Sequence, residues 1–342
     1  MAEHLLALRA AVMRRERVSH STLHFFAYAF IALCLVFAAI AMATGDVFFF
    51  RLATEALIFG GLALAVDILL GYTGLLSLGQ ALFFGYGAYV SGLVLKEIEP
   101  SFWTAMGIVL VTATAFGAIA GIIAIRARGV YFALITFGLA QVVSKIVFNT
   151  RELGASDGII GIPVIKADFL LFQVDTGHAP SFFLLVLSII VGLYFLVAYV
   201  MGTPFGRTLV AIRANESRVP FLGFHPWRYK LAAFILAANV AALSGALYPM
   251  LRGFVSPELM FFQVSGNAVI MVIIGGVGTL IGPLYGAAIL TGLKSVIGTF
   301  TEHHLIVIGM LFVLSVIFFP KGLVGHARPR IERILAARGR ES

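Results

Sequence analysis

The sequence predicts an all-α protein, a polytopic transmembrane helical bundle of about ten spans. Three observations carry that prediction. Of 342 residues, 61% are hydrophobic and only 12% are charged, against about 25% charged in a soluble domain. A chain this apolar cannot cover a water-facing surface, whereas a bilayer lets the surface itself be apolar. The apolar residues fall into ten runs near the roughly 20 residues needed to cross the hydrocarbon. The basic residues sit in short clusters between those runs, as in cytoplasmic loops.

The runs cover about residues 24–43, 52–70, 73–95, 102–125, 129–148, 181–200, 229–251, 265–281, 284–300 and 304–320. The first follows a 23-residue segment containing Arg9, Arg14, Arg15 and Arg17. That segment is longer than the charged start of a secretory signal, so the run reads as a span although Ala41-Met42-Ala43 looks like a cleavage site. Within it, 3–17 is expected to lie as an amphipathic helix on the membrane surface. The domain reading is a basic segment 1–23, one membrane domain 24–320 and a basic tail 321–342. The second-from-last pair of runs is separated by a turn expected at Gly282-Pro283.

Charge orients the spans. With the N-terminus cytoplasmic, the inner segments hold Arg9, Arg14, Arg15, Arg17, Arg126, Arg128, Arg207, Arg213, Arg218, Arg228, Lys230, Lys321, Arg328, Arg330, Arg333, Arg338 and Arg340, which is 17 of the 24 basic residues. Arg51, Lys96, Lys145, Arg151, Lys166, Arg252 and Lys294 are left over. This asymmetry fits the positive-inside rule with both termini cytoplasmic. The longest outer loop is then about 149–180 and the longest inner loop about 201–229.

The same composition narrows function. The net charge is +8, but its placement in loops argues for a membrane protein and not for nucleic-acid binding. Cys34 is the single cysteine, so no disulfide forms within the chain and no Cys/His metal site is expected. Gly292-Leu293-Lys294-Ser295 lacks the glycine loop that cradles phosphate, and no HExxH occurs. His303 and His304 are adjacent and share no helix face. No catalytic residue, metal or cofactor is predicted, and any ATPase driving this protein must be another chain.

Three segments stand out. Gly71-Tyr72-Thr73-Gly74-Leu75-Leu76-Ser77-Leu78-Gly79-Gln80, continuing to Gly87, carries five glycines in its 17 residues. It predicts a discontinuous helix, which in lipid requires a surround of protein or a water-filled cavity. Broken helices often line a substrate route, and small residues equally serve close packing. Gly71, Tyr72, Gly74, Ser77, Gln80 and Tyr86 are the candidate path residues, Gln80 being the one most in need of a polar partner. The second segment, Gly206 to Gly223, combines Ala211, Ile212, Val219, Phe221 and Leu222 with Arg207, Arg213, Glu216 and Arg218, the pattern of a short amphipathic helix against a cytoplasmic partner or of an ordinary basic loop. The third, Met271 to Gly286, contains Gly275, Gly276, Gly278, Gly282 and Gly286, of which the last three form consecutive GxxxG spacings, expected to be a packing face. Charges inside runs are few. Asp67 and Lys145 lie near run ends, within reach of the interface, and Lys294 is deeper but long enough to snorkel.

At these segments the sequence resembles the membrane permeases of bacterial ABC importers for branched-chain amino acids, of the LivM type. The matching stretches are GYTGLLSLGQALFFGYGAYVSG (71–92), RARGVYFALITFGLAQ (126–141), GASDGIIGIP (154–163), GRTLVAIRANESRVPFLG (206–223), MVIIGGVGTLIGPLYGA (271–287) and FFPKGLVG (318–325). The resemblance implies a multi-pass protein of the bacterial inner membrane, embedded in lipid and carrying an amino acid. It implies a second homologous permease, two cytoplasmic ATP-binding subunits and a periplasmic binding protein as partners. The 206–223 loop would dock the ATPase, with Gly206, Arg207, Ala211, Ile212, Arg213, Asn215, Glu216 and Gly223 at the family's positions. Val219-Pro220 departs from the small residues more usual there. Urea and short-chain amide permeases are close relatives, and a stand-alone ion-coupled carrier is the alternative of another class.

Overall fold

The protein is described here by a computed structural model covering residues 25–169, 172–300, 304–319 and 321–338; the 1–23 segment, with its expected surface helix, lies outside the described residues. The helices are α1 (Phe25–Thr44), α2 (Val47–Asp67), α3 (Gln80–Leu93), α4 (Phe102–Ala124), α5 (Val130–Asn149), α6 (Ala179–Gly202), α7 (Pro204–Ala214), α8 (Pro226–Ala246), α9 (Tyr248–Arg252), α10 (Phe262–Gly275), α11 (Gly282–Phe300), α12 (His304–Phe318) and α13 (Gly322–Arg338). The all-α helical bundle predicted from the sequence is therefore the fold. Local signals start several helices. The Asp46 side chain caps α2 by accepting from the Phe48 N–H at 2.8 Å, and α6, α7 and α8 each carry proline in the first turn.

α2 and α8 form the centre. From Leu62 to Asp67 every residue of α2 is buried, the signature of a helix with no lipid-facing side. α2 packs on α6, α8 and α11, and α8 also packs on α3 and α4. The α3–α8 contact is backbone on backbone. A side chain on Gly245 would overlap the Phe84 carbonyl, and one on Gly87 would overlap the Ala242 carbonyl. Ser91 Oγ donates to the Ala246 carbonyl at 2.9 Å across the same seam. Since lipid tails are as apolar as leucine, such close packing carries the association. Gly245→Ala should therefore destabilise the protein by about 1–3 kcal/mol, read as a lower unfolding midpoint in detergent, while Gly192→Ala, where the added carbon meets nothing, should not.

Among the described residues, six helices are long and apolar enough to cross a membrane: α1, α2 with its extension to Thr73, α4, α5, α6, and α8 continued through α9. The other four expected spans fall on α3, α10, α11 and α12, of 14, 14, 19 and 15 residues. Two of these are short because the backbone leaves the helix. The 73–95 run is irregular from Gly74 to Gly79 and becomes helical at Gln80, which is the predicted discontinuity. α10 ends at Gly275, and an irregular loop 276–281 follows. The turn expected at Gly282-Pro283 thus comes earlier, and Pro283 stands in the first turn of α11, where its missing N–H costs nothing.

Two small antiparallel sheets mark one end of the bundle. β1 (Ile159–Ile160) pairs with β4 (Phe254–Val255), and β2 (Lys166–Phe169) forms a hairpin with β3 (Phe172–Asp175). Trp103 Nε1 at the start of α4 donates to the Asp168 carbonyl at 2.8 Å. α6 leaves this end and runs 24 residues, about 36 Å at 1.5 Å per residue, to reach α7. The bundle therefore has a sheet end and an α7 end.

Candidate functional site

The three segments singled out in the sequence meet at the α7 end, around a residue that none of them contains. Asp67, the last residue of α2, is 0% exposed. One carboxylate oxygen accepts from the Gly278 N–H at 2.6 Å and the other from the Leu280 N–H at 2.9 Å. The 276–281 loop wraps the carboxylate by alternating into left-handed conformations, with φ of +78° at Gly278 and +59° at Leu280. Glycine adopts such a φ freely; leucine does so at a steric cost. Consecutive N–H groups turned inward in this way make a concave anion site, here filled by an internal side chain. A buried carboxylate is tolerated only when hydrogen-bonded and compensated by positive charge. Arg213, on α7, is the cation acting on it.

Arg213 also ties α7 to the broken helix. Its guanidinium donates to the Gly71 carbonyl. Gly71 lies in a π turn, Ile68–Thr73, that follows Asp67 directly. A Cβ at Gly71 would stand 2.6 Å from both Asp67 Oδ1 and the Gly278 Cα, so only glycine lets the three strands of backbone meet. Gly322, at the start of α13, is pressed onto Gly276 of the same loop. Asp67 and Arg213 thus join α2, α7, the 276–281 loop and α13 in one hub.

The predicted loop residues divide between two faces. Gly206 and Ile212 are buried, Gly206 against the Met201 carbonyl. Arg207, Ala211, Arg213, Asn215 and Gly223 are exposed, and the Arg213 guanidinium nevertheless reaches the Gly71 carbonyl. Glu216 is held at 2.6 Å by Lys230, itself 3% exposed. The apolar side read from the sequence is split. Ile212 and Val219 face the bundle at 3% and 2% exposure, whereas Phe221 and Leu222 point outward at 90% and 69%. Ile212 belongs to α7, which ends at Ala214, and Val219, Phe221 and Leu222 follow on a 3-10 helix, Glu216–Leu222, with Pro220 inside it.

The predicted path residues are likewise distributed. Gly71 and Gly74 lie beside Arg213, and Tyr72 is half-buried next to them. Ser77 and Gln80 sit in the buried break. There Leu78 N–H donates to Thr136 Oγ1 of α5 at 3.2 Å, and Ala81 N–H to Ser265 Oγ of α10 at 3.0 Å. These side chains satisfy an irregular backbone that lipid could not. Gln80 is 0% exposed, and neither its Oε1 nor its Nε2 has a hydrogen-bond partner. Tyr86 lies apart, stacked on Phe116 of α4 at 4.9 Å. Of the glycines expected as a packing face, Gly275, Gly282 and Gly286 do bring α10 and α11 together, Gly286 against the Met271 carbonyl and Gly275 against the Gly282 carbonyl. Gly276 and Gly278 belong to the loop.

Asp67 was expected to reach the interface; it does not, because the 276–281 loop closes over its carboxylate. The signal that points to it is an ionisable residue at the end of a long apolar run, which in a membrane marks function by default.

Comparison with known proteins matches the sequence to a family. The family described as branched-chain amino acid transport system / permease component matches residues 48–316. The chain is 30% identical over 301 residues to the high-affinity branched-chain amino acid transport system permease protein LivM of Escherichia coli (strain K12), covering 82% of this chain and 71% of that protein. LivM of Salmonella typhimurium matches with the same identity and coverage. The permease protein LivH of Escherichia coli (strain K12) is 22% identical over 302 residues, covering 80% of this chain and 92% of that protein. No solved structure matches the chain. With six helices able to cross a membrane and a family match over most of its length, this multi-pass membrane protein belongs to the permease components of branched-chain amino acid transport systems.

Proposed function

We propose that this chain is a permease subunit of an ATP-driven importer of the ABC type, in a bacterial inner membrane, carrying branched-chain or other hydrophobic amino acids. The α7 end and both termini are cytoplasmic in this reading, with ten spans. The observation that carries it is the dual nature of the α7 region. Phe221 and Leu222 are exposed, at 90% and 69%, beyond the end of α7; exposed apolar groups rimmed by charge mark a protein interface. On its inner side the same region grips the broken helix through Arg213. An ATPase docked on Phe221 and Leu222 would move the hub, and the hub would move the break. The relatives' names support the pairing with a second permease, since LivM and LivH are both named as permeases of a high-affinity branched-chain amino acid system. The sheet end, with Ile160 and Val164 exposed, would receive the periplasmic binding protein.

Phe221→Asp should release the ATP-binding subunits. Purified complexes carrying it are expected to lose those subunits and their uptake, while the unfolding midpoint of the permease stays within a few degrees. Co-purification of the ATPase in normal amount would overturn the docking reading. Uptake into liposomes by this chain alone would replace it with an ion-coupled carrier.

Gln80 bears on the gate. Two unpaired polar atoms in a closed site cost about 1–3 kcal/mol each, so a conformer that wets the break is favoured by pairing them. Gln80→Leu is expected to keep or raise thermal stability in detergent and to slow uptake. Reduced stability would show that Gln80 is instead satisfied in the resting state.

A further inference from the structure

We infer that a cavity near the sheet end, lined by α2, α9, α10 and α11, binds the transported amino acid as a zwitterion. Its volume is about 670 Å³, inside the usual range for small-molecule sites. One wall is apolar, with Phe48, Leu52 and Phe59 of α2. The charged groups are Arg51, Glu55, Arg252 and Lys294. Glu55 and Arg252 pair at 2.7 Å. Lys294 and Arg51 form no ion pair with any described residue, which leaves the cavity with positive charge to spare.

The orientation from basic residues makes this concentration unusual. Arg51, Arg252 and Lys294 are three of the seven basic residues left outside the cytoplasmic clusters, and all three line this one cavity. Positive charge on the outer side of spans is disfavoured, and ionisable groups within spans mark substrate routes. The chemistry fits an apolar amino acid: its carboxylate meets Lys294, its ammonium competes for Glu55, and its side chain lies on the phenylalanine wall. A neutral amide such as urea would leave both charges unanswered. The cavity is also connected to the hub. Glu55 lies twelve residues before Asp67 on α2, about 18 Å along the axis. α10 and α11, which supply Asn267 and Lys294 to the cavity, are joined by the loop that holds Asp67. A ligand drawing these helices together therefore acts on the elements that the Asp67 hub ties to α7. The inference rests on the importer reading above, and it names where and how that importer would hold its cargo.

The test uses the intact transporter in lipid nanodiscs and proteoliposomes. Ser295 lines the cavity, so Ser295→Cys in a Cys34→Ser background offers a thiol for a charged alkylating reagent, its rate corrected for the complex without that cysteine. Millimolar L-leucine is expected to slow the labelling about tenfold, isovalerate less, and urea not at all. Lys294→Gln and Glu55→Gln are each expected to lower leucine uptake about tenfold, the order of a lost charge-assisted hydrogen bond, and to weaken the protection by leucine in the same proportion; Lys294→Arg should retain both. Labelling untouched by leucine in a complex that imports leucine, or equal protection by urea, would overturn the inference. So would wild-type uptake by both neutral variants. Protection by leucine in a complex that transports none would uphold the cavity and overturn the importer reading instead.

Discussion

Asp67→Ala is expected to lower stability by about 3–5 kcal/mol, the largest effect of any single substitution at the hub. Two buried N–H groups, on Gly278 and Leu280, lose their acceptors, at about 1–3 kcal/mol each. Arg213 loses the carboxylate whose charge it compensates. Leu280 loses the hydrogen bond that holds its left-handed backbone. Asp67→Asn keeps the shape and one acceptor, so it should fall between the variant and the wild type. The measurement is the unfolding midpoint of the purified protein in detergent. A wild-type midpoint for Asp67→Ala would mean that the 276–281 loop is held by its own glycine turns and that the carboxylate is incidental.

In the importer reading proposed above, Arg213→Ala should separate ATP hydrolysis from uptake. Arg213 is exposed to water with its guanidinium on the Gly71 carbonyl, so its loss removes that tether and the charge that compensates Asp67, but leaves the Gly278 and Leu280 N–H groups their acceptors. Stability should change by less than for Asp67→Ala. If α7 drives the break through this contact, uptake should fall by roughly 5- to 150-fold, the span of ordinary coupling free energies, while ATP hydrolysis by the partner subunits continues. Arg213→Lys keeps the charge but loses the planar fork that reaches the carbonyl, and an intermediate loss is expected. Parallel loss of hydrolysis and uptake would place Arg213 at the docking surface and not in the relay. Together with the Phe221→Asp release experiment, this distinguishes the outward face of the 204–222 segment from its inward face.

How much of this was legible in the sequence follows from what each feature depends on. The break at Gly74–Gly79 was legible because glycine density is a local property, and the backbone there does leave the helix. The amphipathic character of 206–223 was legible, but which apolar residues face inward was not. Ile212 lies on α7, whereas Val219, which turns in, and Phe221 and Leu222, which turn out, share the following 3-10 helix, and an α-helical period read from Ile212 cannot be carried past Ala214. The GxxxG spacing from Gly278 to Gly286 read as one face and is not, since the helix starts at Gly282. Spacing predicts neighbours only where the backbone is already known to be helical.

The sequence by itself determined that the chain is apolar, helical and membrane-spanning, and that its backbone leaves the helix near Gly74–Gly79. Those follow from the transfer of side chains and peptide groups between water and hydrocarbon, and each residue contributes to that on its own. Only the tertiary structure decided that Asp67 is enclosed and not interfacial, that Arg213 reaches across from a segment 142 positions away to Gly71, and that Arg51, Arg252 and Lys294 share one cavity. A charge in a membrane must find its partners wherever the fold brings them, and those partners lie far away in the chain.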